Sequence, residues 1–233
     1  AHELGACAPG EAQLRPPSHP LMPPPLHVTP CHWVCTEAAL EEVCARLAAA
    51  SELALDLEHH SQRSYRGFTC LMQVSTRDED FLIDAIELRP HMHLLLDVLT
   101  NPSIVKVLHG GDSDIIWLQR DFGLYVVGAF DTGQAARVLE MPSFGLAYLL
   151  QSSCGATANK VHQLVDWRLR PLTDDMAVYA REDTHYLLYL YDVLRRELHA
   201  RGAAAEVWAR TASLCRLASR VDPSACGAAY PGL

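Results

Sequence analysis

Short apolar runs alternate with helix-periodic segments through the middle of this chain, and that alternation restricts it to a layered α/β architecture. LALDLEH from Leu53 reads as a strand bounded by polar residues, and further strand patterns fall at Thr69–Ser75, Phe81–Asp84 and Ile104–Leu108. Between them, Thr36 is placed to cap a helix through EAALEEVCARLAAA, HLLLDVLT is helix-like, and Asp112 is placed to cap a helix through DIIWLQRDF. From Thr173 the run DDMAVYAREDTHYLLYLYDVLRRELHA predicts one helix of more than twenty residues, opening with acids and closing with Arg195 and Arg196 as the helix dipole prefers.

The flanks differ from this core. Residues 1–29 form a proline-rich arm or linker: eight of the 14 prolines fall by residue 30, a composition that favours an extended segment over a packed one. Residues 30–215 form the working domain, and residues 216–233 form a frayed tail with turn and small residues but no apolar period. No apolar run approaches the roughly 20 residues that cross a bilayer, and the first residues lack the basic-then-apolar order of a secretory signal, so a soluble intracellular protein without a membrane partner is expected. Eight cysteines without a framework rhythm read as reduced thiols, and Cys31, His32 and Cys35 form too weak a pattern for zinc.

Charge narrows the function. With 19 Lys plus Arg against 28 Asp plus Glu, the net charge of −9 argues against a broad basic groove for nucleic acid, so any such binding must be local. Acids carry the chemistry instead. Asp56 and Glu58 lie two apart on a strand and therefore share one face, while Leu55 and Leu57 share the other. Two carboxylates held that close repel each other unless protons or a hard cation neutralise them. The D-x-E spacing alone is weak, arising by chance about once in a chain of this length. Tyr179 and Asp183, spaced i, i+4, lie on one helix face with Met176, Leu187 and Leu190, and Asp114 sits in the first turn of its own helix. Taken together, Asp56, Glu58, Asp114 and Asp183 offer oxygen ligands only, a set that favours Mg²⁺ or Mn²⁺ over zinc. Two such ions would suit phosphodiester hydrolysis, with Tyr179 placed to orient the attacking water.

The stretches LALDLEHHS, LMQVST, VLHGGDSDIIWLQRDFG, FDTGQAAR, NKVHQLVDWRLRPL and YAREDTHYLLYLYD resemble the ribonuclease D-type 3′-to-5′ exonucleases with four acids and a tyrosine, and within them the exoribonuclease subunits of the nuclear RNA exosome. The resemblance runs from about Thr29 to Gly202 and places the family's five motif residues on Asp56, Glu58, Asp114, Tyr179 and Asp183. It implies a ribonuclease H-like α/β fold with a mixed central sheet flanked by helices, two divalent cations, and release of 5′-mononucleotides from the 3′ ends of single-stranded RNA. It also implies RNA processing with the exosome in the nucleus or nucleolus. In the family's scheme Asp56 bridges both ions, Glu58 and Asp183 hold the water-activating one, and Asp114 supports the second largely through water.

Three positions depart from the family pattern. Gly111 stands where alanine is usual, Ile116 where the exosome subunits tend to carry glutamate and Gly133 where they tend to carry histidine. The family's helical HRDC domain is also not in this sequence, which leaves an inactive RNA-binding or scaffold module as the alternative and a DNA-directed exonuclease of the same chemistry as a third reading. For RNA contacts the candidates are Tyr65, Phe68, Trp117 and Trp167 for stacking and His60, Lys160, Arg168 and Arg170 for phosphate, with His59 or His60 near the scissile end. Trp117 lies on an apolar helix face, where core packing competes with stacking.

Overall fold

Six strands pair into one sheet in a computed structural model that describes residues 16–61, 66–157 and 165–217. They are β1 (Cys31–Val34), β2 (Glu52–His60), β3 (Phe68–Ser75), β4 (Asp80–Asp84), β5 (Val105–Leu108) and β6 (Ala129–Asp131), in the order β1-β4-β3-β2-β5-β6. The β2–β3–β4 meander is antiparallel, whereas β1 runs parallel to β4 and β5 and β6 continue parallel from β2. The sheet is therefore mixed, as expected for a ribonuclease H-like fold.

Eight α-helices cover it among the described residues: α1 (Glu37–Ala48), α2 (Leu96–Thr100), α3 (Asp112–Phe122), α4 (Thr132–Val138), α5 (Leu146–Cys154), α6 (Asp174–His185), α7 (Leu187–Ala200) and α8 (Ala204–Cys215). Thr36 caps α1 through its side-chain oxygen, as its sequence predicts, and Thr173, where the second long run was read to begin, caps α6 in the same way. No helix of the described residues is long and apolar enough to cross a membrane.

Alternation along β2 sorts the layers. Leu53, Leu55 and Leu57 join the core with Leu40, Phe81 and Leu118 beneath α1 and α3, while Ala54 packs on the opposite face with Val107, Phe130, Leu190 and Tyr191. A third cluster, built on Cys70, Leu82, Trp167, Met176 and Ala180, seats α6 against the meander. Asp56 and Glu58 thus face the side on which α6 lies.

Four sequence expectations change. The long helix divides at Tyr186, where α6 stops and α7 begins. Thr184 and His185, the last residues of α6, are tied to the sheet by a Ser75 hydroxyl bond at 2.8 Å and by the Asp80 carboxylate at 3.2 Å. An apolar period cannot register such anchors, and as a result Leu187 and Leu190 pack in a different cluster from Met176. Arg195 turns inward, donating to the Tyr191 hydroxyl at 2.9 Å, so it does not serve the helix end. HLLLDVLT is partly a 3₁₀ turn, Arg89–Leu95, ahead of the short α2. Gly111, not Asp112, is the N-cap of α3, and it brings no side-chain cap of its own.

Part of the proline-rich segment is packed. Arg181 on α6 donates to the carbonyls of Leu26 and Thr29, both at 2.9 Å, and His185 Nε2 donates to the Pro24 carbonyl at 2.8 Å. Proline lacks an N–H but keeps its carbonyl, so such a segment docks well against side-chain donors.

Candidate active site

β2 carries the first two acids to the centre of the sheet. It runs beyond the end of β5, and its register against β3 shifts between Glu58 and His59, an irregularity that re-aims side chains at the strand's end. α6 lies across this end and contributes Tyr179 and Asp183 from one face. Asp56, Glu58 and Asp183 each place a carboxylate oxygen within 4.8 Å of the other two. Together with His59, His60, Ser61, Trp117, Val165 and Tyr179 they line a cleft of about 570 Å³. Clefts at the carboxyl ends of parallel strands are where open α/β sheets gather ligand-binding groups.

The electrostatics describe a site short of positive charge. Burial, then the Asp56, Asp183 and Asp114 charges, push Glu58 up to about 10, with the Gln73 amide pulling the other way from 3.3 Å. Asp183 is raised to about 8 by burial and then by Asp56. Asp56 stands well above the ordinary carboxylate range because of burial and then Asp114. Tyr179 is raised by burial and by Asp183, to which it is hydrogen-bonded, so its hydroxyl stays protonated. A cation set among these oxygens would replace the protons they otherwise retain. The donor set, three carboxylates and no nitrogen or sulfur, matches a hard divalent ion.

Asp114 stands one layer out. It is 5% exposed in the first turn of α3, close enough for its charge to raise Asp56 and Glu58, yet outside the tight group of three. Its own pKa is pushed up to about 7 by burial and then by Asp131 and Asp112.

The proposed RNA contacts divide. Trp117 packs one side against the core, as the apolar-face reading expects, and stacks flat on His59, with ring centroids 4.2 Å apart and planes 10° from parallel. Arg120 donates to His59 Nε2 at 3.1 Å. Burial, then the Arg120 charge, holds the His59 pKa below its ordinary value. His60 lines the cleft with only 4% of its surface exposed, its Nε2 making no hydrogen bond. Arg168 is exposed and paired with Asp166 at 2.7 Å.

Trp167 is 1% exposed inside the third cluster, and its packing there excludes it as a stacking platform. Arg170 is likewise not a phosphate contact, since its guanidinium is spent on Asp84 and on the carbonyls of Trp167, Leu169 and Cys70. Phe68 leans on the same cluster and on the His60 ring. Tyr65 and Lys160 lie outside the described residues. Two residues that sequence reasoning passed over enter here: Gln73, which steadies Glu58, and Asp131, whose D-x-x-Q spacing to Gln134 was a legible helix-start signature.

Comparison with known proteins settles the kinship of this chain. A family described as 3′-5′ exonuclease matches residues 31–199. The chain belongs to this 3′-5′ exonuclease family. It is 50% identical over 219 residues to exosome complex component 10 of Homo sapiens, a match covering 92% of this chain and 25% of that protein. The chain thus spans about a quarter of that relative's length. Among solved structures, the catalytic core of RRP6 from Trypanosoma brucei superposes with a TM-score of 0.88 at 40% identity, over 94% of this chain and 61% of that one. RNase D of Escherichia coli, described as an exoribonuclease involved in structured RNA processing, gives a TM-score of 0.74 at 28% identity, over 79% of this chain and 49% of its own. The mixed sheet with flanking helices is the exonuclease fold of these relatives, and Asp56, Glu58 and Asp183 meet in this family member at the end of its central strand.

Proposed function

We propose that this chain is a metal-dependent 3′-5′ exoribonuclease that hydrolyses single-stranded RNA from its 3′ end and releases 5′-mononucleotides. The observation that carries the reading is the convergence of three carboxylates from β2 and α6 at one cleft, with Tyr179 hydrogen-bonded to Asp183 beside them. Asp56, Glu58 and Asp183, with Asp114 behind them, would hold two divalent cations, Mg²⁺ or Mn²⁺. Bound there, such ions supply Lewis acidity toward the scissile phosphate and lower the pKa of water.

The chain's own groups do the rest. Gln73 fixes the rotamer of Glu58, so that the carboxylate presents its free lone pairs to the cleft. Tyr179, protonated at any physiological pH, donates its one O–H to Asp183, and its oxygen is left as the acceptor that would position a water for in-line attack without itself taking a proton. The flat His59–Trp117 pair forms an aromatic wall against which a terminal base can stack, an interaction that tolerates any sequence. His60 lines the cleft beside the acids, with its Nδ1 3.4 Å from the Asp166 carboxylate.

Similarity to exosome component 10 and RRP6 supports a setting in nuclear RNA processing and decay alongside the exosome. Matched RNA and DNA oligomers with identical 3′ sequences test the substrate class. Release of 5′-mononucleotides from RNA, with slower release from DNA, is the expected result, because the 2′-hydroxyl is what distinguishes the two at one site. Equal rates would reassign the chain as a general single-strand exonuclease.

A further inference from the structure

The buried carboxylate Asp131 stands behind the acidic cluster, closing β6 with 1% of its surface exposed. Its Oδ1 accepts the Gln134 N–H at 2.8 Å, an ordinary N-cap for α4. Its Oδ2 accepts the N–H of Gly111, also at 2.8 Å, across 20 residues of sequence. Its own N–H donates to the buried Thr211 hydroxyl on α8, which fixes the strand end from a third side. One carboxylate thus begins two helices.

The Gly111 bond matters because of what it displaces. Gly111 is the N-cap of α3 and Asp114 is the third residue of that helix. An acid at this third position ordinarily reaches back to the N–H of the cap residue and closes a capping box. Asp112 is exposed, and Asp131 already occupies the Gly111 amide, so Asp114 is released from that local role. Gly133 leaves the arrangement room, since a Cβ there would sit 3.1 Å from Asp131 Oδ1. A Cβ at Gly111 would meet Leu108 at 3.2 Å, which keeps the cap close to the end of β5.

We infer that Asp131 is a positioning residue: by taking the Gly111 amide it frees Asp114 from capping its own helix and turns it toward the cation site. The inference rests on the metal-dependent reading above.

Asp131→Ser separates the two roles, because a serine hydroxyl reaches its own third amide and keeps the α4 cap but does not span to Gly111. Mn²⁺ binding is measured by calorimetry on the full chain carrying Asp131→Ser, Asp114→Asn, both, or neither. The single serine variant should weaken Mn²⁺ binding by about tenfold, as loss of a supporting partner typically does. The double variant should bind no more weakly than Asp114→Asn alone, since Asp131 acts through Asp114. A purely structural role would instead lower the melting temperature and leave the Mn²⁺ isotherm unchanged, and that outcome overturns the inference, as does additivity in the double variant. Should the serine variant not fold, Asp131→Asn keeps the size while turning an amide N–H against one of the two donors, and the same pattern is expected. Absence of Mn²⁺ binding by the wild-type chain would strike the functional reading itself, and the inference with it.

Discussion

Asp183 and Tyr179 sit one turn apart on α6, and their substitution isolates the chemistry from the fold. Asp183→Asn should abolish RNA shortening while leaving a cooperative melt. Tyr179→Phe should slow hydrolysis by about 10²-fold with cation binding retained, as expected for a group that orients the nucleophile. Single-turnover rates beside a Mn²⁺ titration check both, and wild-type rates in either variant would contradict the assigned roles. The raised carboxylates also set a pH dependence. Their folded-state pKa values exceed the unfolded ones, so in the cation-free protein the penalty is absent below about pH 4, the ordinary carboxylate value. It then grows as pH rises toward the about 8 of Asp183 and the about 10 of Glu58. A divalent cation offsets the penalty, so the gain in melting temperature from added Mn²⁺ should increase from pH 6 to pH 8, and a gain that shrinks with pH would contradict the clustered-carboxylate account. Without cation, Asp183→Asn should stabilise the fold at pH 8, on the order of 1–3 kcal/mol, by removing an ionisable group from a buried, crowded carboxylate site. These residues were legible in the sequence because two-residue and four-residue spacings translate directly into shared faces. Asp131 was not read, because its decisive bond goes to an amide 20 residues earlier in the chain.

At the scale of elements, α6 is held from both sides. Its inner face seats Met176 and Ala180 in the core, while Arg181 and His185 bind the 24–29 segment and the Asp80 carboxylate. Burial works to raise Asp80, but bonds from His185, Ser75 and Arg181 outweigh it and its pKa is lowered. Stability from this group is therefore present above the unfolded carboxylate pKa and is lost as pH falls through the folded one. Arg181→Ala removes the tie to the proline-rich segment and leaves Asp80 short of a partner, for an expected cost of about 2–4 kcal/mol. Limited proteolysis should then cut within residues 16–30 faster than in the wild type, and unchanged cleavage would show that the segment is held by other contacts. Capping by Thr36 was readable, since the threonine sits directly before a helical period, and so was the start of α6 at Thr173. The division at Tyr186 was not, because the Ser75 and Asp80 anchors that impose it lie more than 100 residues away in sequence.

Across the whole molecule, alternating apolar runs declared the α/β class, and the strand order that brings β2 between β3 and β5 came from packing that no local pattern encodes. That order places the acids at the sheet's centre, beneath α6 and next to the start of α3. The overall charge of −9 argues against a broad basic surface for nucleic acid. Arg168 and Arg170 are already engaged by Asp166 and Asp84. RNA binding should therefore depend weakly on salt, with an affinity loss of about tenfold or less between 50 and 200 mM, since each neutralised phosphate of a single strand contributes a slope of only about 0.7. A loss above about a hundredfold in a fluorescence-anisotropy titration would point to a basic surface elsewhere on the chain. The most direct test of the central claim is a time course with 5′-labelled single-stranded RNA in Mg²⁺, in Mn²⁺ and in chelator, beside Asp183→Asn. A ladder shortening from the 3′ end in either metal, absent in chelator and in the variant, is the predicted result. Intact RNA in every lane from folded, RNA-bound protein would contradict it and make the chain a binding module.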